Sequence, residues 1–210
     1  MPSFQSDWDA KHGLAAKQTA ETPAGILVEL WPLLPAGAAL DLACGRGRNA
    51  LFLAERGRHV TAVDWSAAAL DIVEERAQAM NIPVRRVHRM GEAKQAASAG
   101  IDLVQADLER LQNLPATSYA LILCVRYLER SLFPEMCRAL RPGGMLLFET
   151  YTKAQLDFAG GPRDPAHLLD KGELRRAFPE LETVFYRELR AEQGIASLAA
   201  RKPTGNNHRK

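Results

Sequence analysis

Short apolar segments alternate with longer segments of helical periodicity through most of the chain. Five apolar segments are rich enough in aliphatic residues to form buried strands, namely residues 38–44, 59–64, 101–108, 119–125 and 145–151. Helices are predicted near 23–34 and at 48–56, 66–80 and 131–140, and Ser66 is placed to cap the third of these. Strands that alternate with helices in this way are typical of an α/β domain with a parallel sheet.

The C-terminal part follows a different pattern. Segments 183–190 and 195–201 are both predicted as strands, and only residues 191–194 separate them. So short a connection predicts an antiparallel hairpin, because a parallel pair needs a crossover of a dozen or more residues. The complete prediction is an α/β fold with a Rossmann-like, doubly wound, seven-stranded sheet that is mostly parallel and ends in an antiparallel hairpin.

Composition narrows the class of protein. Lys and Arg number 27 against 25 Asp and Glu, so the formal net charge is +2 and a strongly basic nucleic-acid-binding protein is not expected. No apolar run approaches the roughly 20 residues that cross a bilayer, and residues 1–13 lack the apolar core of a signal peptide. Three dispersed cysteines predict neither a disulfide scaffold nor a structural metal site. We therefore expect one cytoplasmic domain over residues 1–202, with an N-terminal extension at 1–21 and a disordered tail at 203–210.

Three acidic residues stand at or near the ends of the first three predicted strands. Asp64 and Asp107 lie at the ends of their segments, and Asp41 lies near the end of the first one. A carboxylate in a buried strand is unfavourable unless it is paired or hydrogen-bonded, so one such residue is as readily structural as ligand-binding. Because ligands of a doubly wound sheet bind beyond the carboxyl ends of its strands, three acids at equivalent positions favour a shared ligand.

A glycine-rich turn at residues 45–47 (GRG) directly follows the first strand. Glycine there lets the backbone approach a ligand closely. With Asp64 nineteen residues beyond the first glycine, the spacing also satisfies a loose dinucleotide-binding fingerprint. Asp41 favours a cationic amino acid over a diphosphate at this position, whereas Arg46 and Arg48 would accept phosphate, so the residues alone leave both ligand classes open.

Four segments resemble, in order and spacing, motifs of the class I S-adenosylmethionine-dependent methyltransferases. They are residues 39–47 (ALDLACGRG), 60–64 (VTAVD), 105–108 (QADL) and 140–144 (LRPGG). The resemblance spans about residues 22–202, and the run at 45–49 (GRGRN) is most similar to small bacterial tellurite-resistance and thiopurine-type methyltransferases. It implies a methyl-transfer enzyme that uses S-adenosylmethionine as its cofactor.

The resemblance also implies a set of cofactor-binding residues. Asp41 would orient the methionine ammonium, Asp64 would accept both ribose hydroxyls, and Asp107 would accept the adenine amino group. The other members are Ala43, Gly45, Arg46 and Gly47 around the methionine portion, Trp65 along the adenine, Leu108 through its amide, and Cys124 through its carbonyl. A partly buried aromatic at the start of a helix is the alternative explanation of Trp65. No residue is expected to bind a metal.

The acceptor is expected to contact the segment after the fourth strand. Arg126 and Tyr127 are the first candidates, with Arg126 able to fix an anionic acceptor, and the further candidates are Glu149, Tyr151, Arg163 and His167. No catalytic residue is identified from the sequence. A thiol or a soft anion needs little help from a general base, so the reaction does not require one. The predicted acceptor is a small molecule, such as a thiol or an oxyanion. An RNA or protein methyltransferase is the alternative, and a nicotinamide-dependent oxidoreductase or a non-catalytic nucleotide-binding module is a third hypothesis.

Residues 82–100 depart from the minimal family pattern, because this connection is longer. We expect an extra helix within it, and we expect Arg85, Arg86 and Arg89 to form a solvated basic face. The sequence does not predict the oligomeric state.

Overall fold

An eight-stranded sheet runs through the part of the chain that the computed structural model describes, residues 22–93, 98–111 and 113–205. In chain order the strands are β1 (Ala39–Leu42), β2 (His59–Asp64), β3 (Val84–Val87), β4 (Gly100–Gln105), β5 (Tyr119–Val125), β6 (Leu140–Tyr151), β7 (Glu182–Arg190) and β8 (Gly194–Arg201). They lie side by side in the order β3-β4-β2-β1-β5-β6-β8-β7. Every neighbouring pair is parallel except β6 with β8 and β7 with β8, so the predicted C-terminal hairpin is confirmed.

Helices cover both faces of the sheet. They are α1 (Gly25–Glu29), α2 (Arg48–Glu55), α3 (Ala67–Ala79), α4 (Leu132–Ala139) and α5 (Glu173–Arg176). Helices α1 to α3 pack in one hydrophobic cluster and α4 and α5 in another. Successive strand residues alternate between these clusters, as Leu121 and Ile122 do in β5, because side chains of a strand point to opposite faces in turn. The predicted doubly wound fold is confirmed.

Two helix boundaries follow directly from local sequence. The Ser66 hydroxyl accepts a hydrogen bond from the Ala69 amide at 3.1 Å, so it caps α3 as predicted. The helix predicted near 23–34 is shorter than expected, because α1 ends at Glu29 and a 3-10 turn with Pro32 follows at Trp31–Leu33.

The predicted strand number was one too low, because β3 was not recognised. Its sequence, VRRV, places two arginines in the middle of a four-residue strand. Arg85 donates two hydrogen bonds to the carboxylate of buried Asp102, at 2.6 and 2.9 Å, and Arg86 pairs with Glu74 and Asp71 on α3. Arg86 and Arg89 are exposed, as expected of a solvated basic face, whereas Arg85 is tied to a buried carboxylate and does not belong to such a face. In the described part of the connection, a 3-10 turn at Met90–Glu92 takes the place of the expected helix.

Some predictions fall on residues that are not described. The N-terminal extension at 1–21 and positions 206–210 of the predicted tail lie outside the described ranges. The assignment of residues 1–202 to one domain stays a prediction. Within the described ranges, none of the helices has the length and apolar character that crossing a membrane requires.

The two arginines of β3 provide a matched test of the edge strand. We expect Arg85→Met to lower the free energy of unfolding by about 2 kcal/mol, because it leaves the buried Asp102 with one fewer charged partner. Arg86→Met should cost about 0.5 kcal/mol or less, because its ion pairs are exposed. Urea unfolding of both variants measures the difference, and equal losses would contradict the structural role assigned to the Asp102 pair.

Candidate cofactor site

The loop at residues 43–47 follows β1 and is hydrogen-bonded to the carboxyl end of β2. The Cys44 amide donates to the Val63 carbonyl at 3.0 Å, which continues the pairing with β2 past the end of β1. The Gly45 amide then donates to the Asp64 carboxylate at 2.7 Å. These bonds hold the glycine-rich turn directly beside the acid at the end of β2, so the first two predicted motifs form one structure.

Gly47 is the point at which this turn enters α2. It has a φ of 74° and stands at the N-cap position of the helix. A Cβ atom there would lie 2.7 Å from the side chain of Val73 on α3, so glycine is required by both backbone conformation and packing. The neighbouring Arg46 is half-buried, and its carbonyl accepts from Arg76 at 3.2 Å.

Asp64 is held by backbone donors on both sides. One carboxylate oxygen accepts from Gly45, and the other accepts from the Ser66 amide at 2.9 Å. Each oxygen of an ionised carboxylate has a second lone pair, so Asp64 retains the capacity to accept two hydroxyl hydrogen bonds. This arrangement fits the ribose of a nucleoside.

Asp41 lies in β1, next to the strand that carries Asp64, and its carboxyl group is in a less polar environment. Its side chain is buried within β1, and Oδ2 has no hydrogen-bond partner among the described residues. Burial raises its pKa from 3.8 to about 7, against the lowering effect of Arg48 and with a further increase from Asp64. A buried carboxylate oxygen that lacks a partner is suited to a cationic group of a ligand.

The two residues that flank the predicted adenine position differ in their surroundings. Trp65 is half-buried, and its indole Nε1 has no hydrogen-bond partner within the described ranges. Asp107 is about one-fifth exposed, and its carboxylate accepts from the Glu109 amide at 3.0 Å. Leu108 is buried. Asp107 is therefore oriented by its own turn, with further lone pairs that can accept from a ligand.

A cavity of about 340 Å³ opens beside this turn. It lies beyond the carboxyl ends of β3 and β4, and its lining includes His88, Arg89, Val104, Gln105 and Ala106. The Gln105 side chain donates to the Trp65 carbonyl at 3.3 Å, which ties the cavity wall to the segment that follows β2.

The predicted acceptor side lies at the ends of β5 and β6. The Arg126 amide donates to the Glu149 carbonyl at 2.7 Å, and its guanidinium donates to the Tyr151 hydroxyl while its Cζ lies 4.6 Å from the centroid of that ring. Tyr127 is half-buried, and burial raises its pKa, so its phenol is protonated near neutral pH. Cys124 is fully buried, and burial raises the pKa of its thiol as well.

Two further candidates are not connected to this group by any described contact. Arg163 donates to the carbonyls of Leu156 and Phe158, at 2.8 and 2.7 Å, so it stabilises its own loop. His167 is exposed on a 3-10 turn that Asp164 caps. A direct role of these two side chains in the site has no support in the geometry.

Arg48 was missing from the predicted site residues. It is the first residue of α2, it is half-buried, and the charges that act on it are those of Arg126, Asp41, Glu149 and Tyr151. Its position directly after the glycine-rich turn was the available signal, but its proximity to Arg126 depends on strand order. Among the described residues, no group of three or more His, Cys, Asp or Glu side chains could hold a metal ion.

Comparisons with known proteins give a consistent result. A family model described as a methyltransferase domain matches residues 39–144. A ubiquinone biosynthesis O-methyltransferase of Alkalilimnicola ehrlichii is 30% identical over 115 residues, which cover 54% of this chain and 41% of that protein. The chain spans about half the length of the curated relatives it matches.

Solved structures share the fold at lower sequence identity. One, described by the conversion of a disulfide bond into a thioacetal group during echinomycin biosynthesis, has a TM-score of 0.69 and 18% identity, and the match covers 97% of this chain and 93% of that one. TehB from Haemophilus influenzae has a TM-score of 0.67 and 20% identity, with 93% of this chain and 67% of that one covered.

The electrostatic state of Asp41 predicts an unusual stability effect. Its pKa is raised from 3.8 to about 7 in the folded protein. Below about pH 4 the carboxyl is protonated in both the folded and the unfolded state, so it does not lower the free energy of unfolding. That free energy falls as the pH rises from about 4 to about 7, because only the unfolded state ionises freely in this range. In the absence of any ligand, Asp41→Asn should therefore stabilise the protein by roughly 2 to 4 kcal/mol above about pH 7 and have little effect near pH 4.

Chemical denaturation at the two pH values measures this effect. Asp102→Asn is the matched control, because Asp102 is equally buried but pairs with Arg85 and His59, and its loss should destabilise the protein. Destabilisation by Asp41→Asn above pH 7 would contradict the assignment of Asp41 as a buried carboxylate whose ionisation is unfavourable.

Proposed function

Because the chain belongs to the methyltransferase domain family, we propose that it transfers the methyl group of S-adenosylmethionine to a small-molecule acceptor. S-adenosylmethionine is the cofactor of this family, and when bound it supplies an electrophilic methyl group on a positively charged sulfur. The observation that carries the proposal is the buried oxygen of Asp41 that lacks a hydrogen-bond partner, together with the hydrogen bond from the Gly45 amide to Asp64 on the neighbouring strand. These two carboxylates could bind a cation and a ribose, respectively, at the carboxyl ends of β1 and β2.

In the proposed complex, residues at the carboxyl ends of the strands bind different parts of the cofactor. Asp41 binds the methionine ammonium, and the backbone at 43–47 lines the methionine portion. Asp64 accepts the ribose hydroxyls with the lone pairs that Gly45 and Ser66 leave unused. Trp65, Asp107 and Leu108 contact the adenine, and Cys124 contributes its carbonyl.

The residues of this chain have to position the two reactants rather than take part in bond formation. Methyl transfer is an in-line displacement, so the protein must align donor and acceptor and exclude water. The raised pKa values of Tyr127 and Cys124 make both groups neutral near pH 7, so neither serves as a general base there. An acceptor that is already a good nucleophile, such as a thiol or a soft anion, does not need either group as a base.

A small acceptor has support from two sides. The formal net charge of +2 provides little general attraction for nucleic acid. The relative named for ubiquinone biosynthesis and the structure from echinomycin biosynthesis both carry names from small-molecule metabolism. Transfer to RNA or protein is the alternative that the acceptor experiment separates.

Cofactor binding is tested with S-adenosylhomocysteine by calorimetry. We expect the wild type to bind, and Asp64→Ala to weaken binding by about 100-fold, because two charged hydrogen bonds to the ribose are lost. Asp157→Ala is the matched control, since Asp157 is exposed and pairs with Arg190 on the surface. Equal affinities of the wild type and Asp64→Ala would exclude the proposed ribose site.

The acceptor class is tested by turnover. We expect S-adenosylhomocysteine to form from S-adenosylmethionine with at least one member of a panel of thiols, selenols and tellurite, measured by chromatography. RNA and protein substrates are tested in parallel, and turnover with these alone would overturn the small-molecule proposal. Thermal stabilisation by NAD but not by S-adenosylmethionine would instead favour an oxidoreductase.

A further inference from the structure

Strand β3 and the turn that follows it form one wall of the cavity at the carboxyl end of β4. The cavity has a volume of about 340 Å³ and lies between residues 88–91, which follow β3, and residues 104–106 at the end of β4. Residues 82–100, which include β3, are longer than the minimal pattern of the family. The segment that forms this wall is therefore an addition of this chain to that pattern.

The lining of the cavity combines an apolar surface with a few polar groups. Its apolar members are Met90, Val104, Ala106 and Leu111, and its polar members are His88, Arg89, Gln105 and Asn113. None of the described residues that line it is acidic. Sites for small molecules are mostly apolar with a few polar groups, and the volume of this cavity lies at the lower end of their range. The cavity suits a small molecule with an apolar body and one polar group.

Arg89 provides the positive charge at this cavity. Two other arginines of the same segment have counter-ions, because Arg85 pairs with buried Asp102 and Arg86 forms two ion pairs with acids of α3. The described residues offer the guanidinium of Arg89 neither an ion pair nor a hydrogen bond, although this residue lines the cavity. Guanidinium groups bind carboxylates through paired N–H···O bonds. The polar group that best fits this lining is therefore an anionic one.

The acids of the two adjacent turns are engaged elsewhere. The carboxylate of Glu92 accepts from the His88 amide at 3.2 Å. The carboxylate of Asp107 accepts from the Glu109 amide at 3.0 Å and lies 3.4 Å from Nε of Arg110. Neither acid lines the cavity, so neither directly faces an anion that binds there.

The cavity is separate from the positions proposed for both reactants. Its lining does not include the residues assigned to the ribose and the adenine, which are Asp64, Trp65, Asp107 and Leu108. The acceptor candidates follow β5, which lies three strand positions from β4, a distance of about 14 Å at the usual strand spacing. Methyl transfer needs the reacting atoms within roughly 3.5 Å of each other. A molecule in the cavity is therefore not the methyl acceptor.

We propose that this cavity is a second small-molecule site, which binds an anionic molecule with an apolar body, such as an aromatic carboxylate. Arg89 binds the carboxylate, and the apolar side chains of the lining contact the rest of the molecule. The site goes beyond the proposed function and does not depend on it, because neither the cofactor nor the acceptor occupies the cavity in the proposed complex.

Benzoate is the probe of this site. It is compared with benzamide, its uncharged analogue, and with acetate, which lacks the apolar ring. We expect benzoate to bind the wild type at millimolar concentration, and the other two to bind at least about tenfold more weakly. In nitrogen-15 NMR spectra, the backbone amide signals of Gly91 and Ala106 should shift as benzoate is added, whereas that of Gly45 in the cofactor loop should not.

A matched pair of variants tests the role of Arg89. Arg89→Gln should weaken benzoate binding about tenfold or more, because it removes the charge that binds the carboxylate. Arg86→Gln makes the same change three residues earlier, where the guanidinium pairs with Glu74 and Asp71, and it should bind benzoate as the wild type does. Both side chains are exposed, so both variants should fold, which their melting temperatures verify.

The outcomes separate this inference from the proposed function. Absence of benzoate binding, signal shifts outside the cavity only, or equal affinities of Arg89→Gln and the wild type would overturn the second site. Displacement of benzoate by saturating S-adenosylhomocysteine would also overturn it, because the cavity would then belong to the cofactor site. If S-adenosylhomocysteine does not bind at all but benzoate does, the proposed function fails and the second site stands.

Discussion

The site depends on the burial of one carboxylate in the middle of a parallel sheet. Asp41 lies in β1, a strand of four fully buried residues between β2 and β5. Hydrogen-bonded strands on both sides and helices on both faces exclude water, so ionisation of Asp41 is unfavourable without a cation. The sheet cannot supply that cation from its own residues, because Arg48 lies in the field of Asp41 without forming an ion pair with it. In the proposed complex the ammonium of the cofactor is that cation.

Asp64 shows how the same side chain is used when the backbone satisfies it. Two amides, one from each of the loops that follow β1 and β2, donate to its two oxygens. The carboxylate therefore fixes the glycine-rich turn and the start of α3 in one arrangement, before any ligand binds. Asp64 is a structural anchor that can still accept hydroxyl groups, whereas Asp41 is a buried carboxyl group whose ionisation is unfavourable.

The sequence predicted the elements that depend on local signals, such as the Ser66 cap, and the strands that consist mainly of apolar residues. The bounds of β2 and β5 agree with the structure to the residue, because buried parallel strands form continuous apolar runs. Strand β3 was missed because its two arginines are neutralised by Asp102, Glu74 and Asp71, which are distant in sequence. The strand pattern placed Asp64 at the end of β2 and Asp41 near the end of β1, as the structure has them, but β4 ends at Gln105, before Asp107. The roles of these acids toward a ligand stay predictions.

The approach of Arg48 to Arg126 was beyond the sequence for a related reason. These residues are 78 positions apart, and the charge of Arg126 acts on Arg48 because β1, which α2 follows, pairs with β5, which Arg126 follows. The same topology gives the carboxyl end of the sheet a polarity of charge. Asp41 lies in β1, Asp64 ends β2 and Asp107 follows β4, whereas Arg48 follows β1 and Arg126 follows β5.

This polarity suits the proposed chemistry. A methyl group that moves from a cationic sulfur to an anionic acceptor carries the reaction toward a less charged state, which a water-poor site favours. In the proposed complex the acids bind the cationic donor. The left-handed backbone of Arg126 is unfavourable in itself, so the stability of the fold is concentrated elsewhere, in the two hydrophobic clusters that cover the sheet.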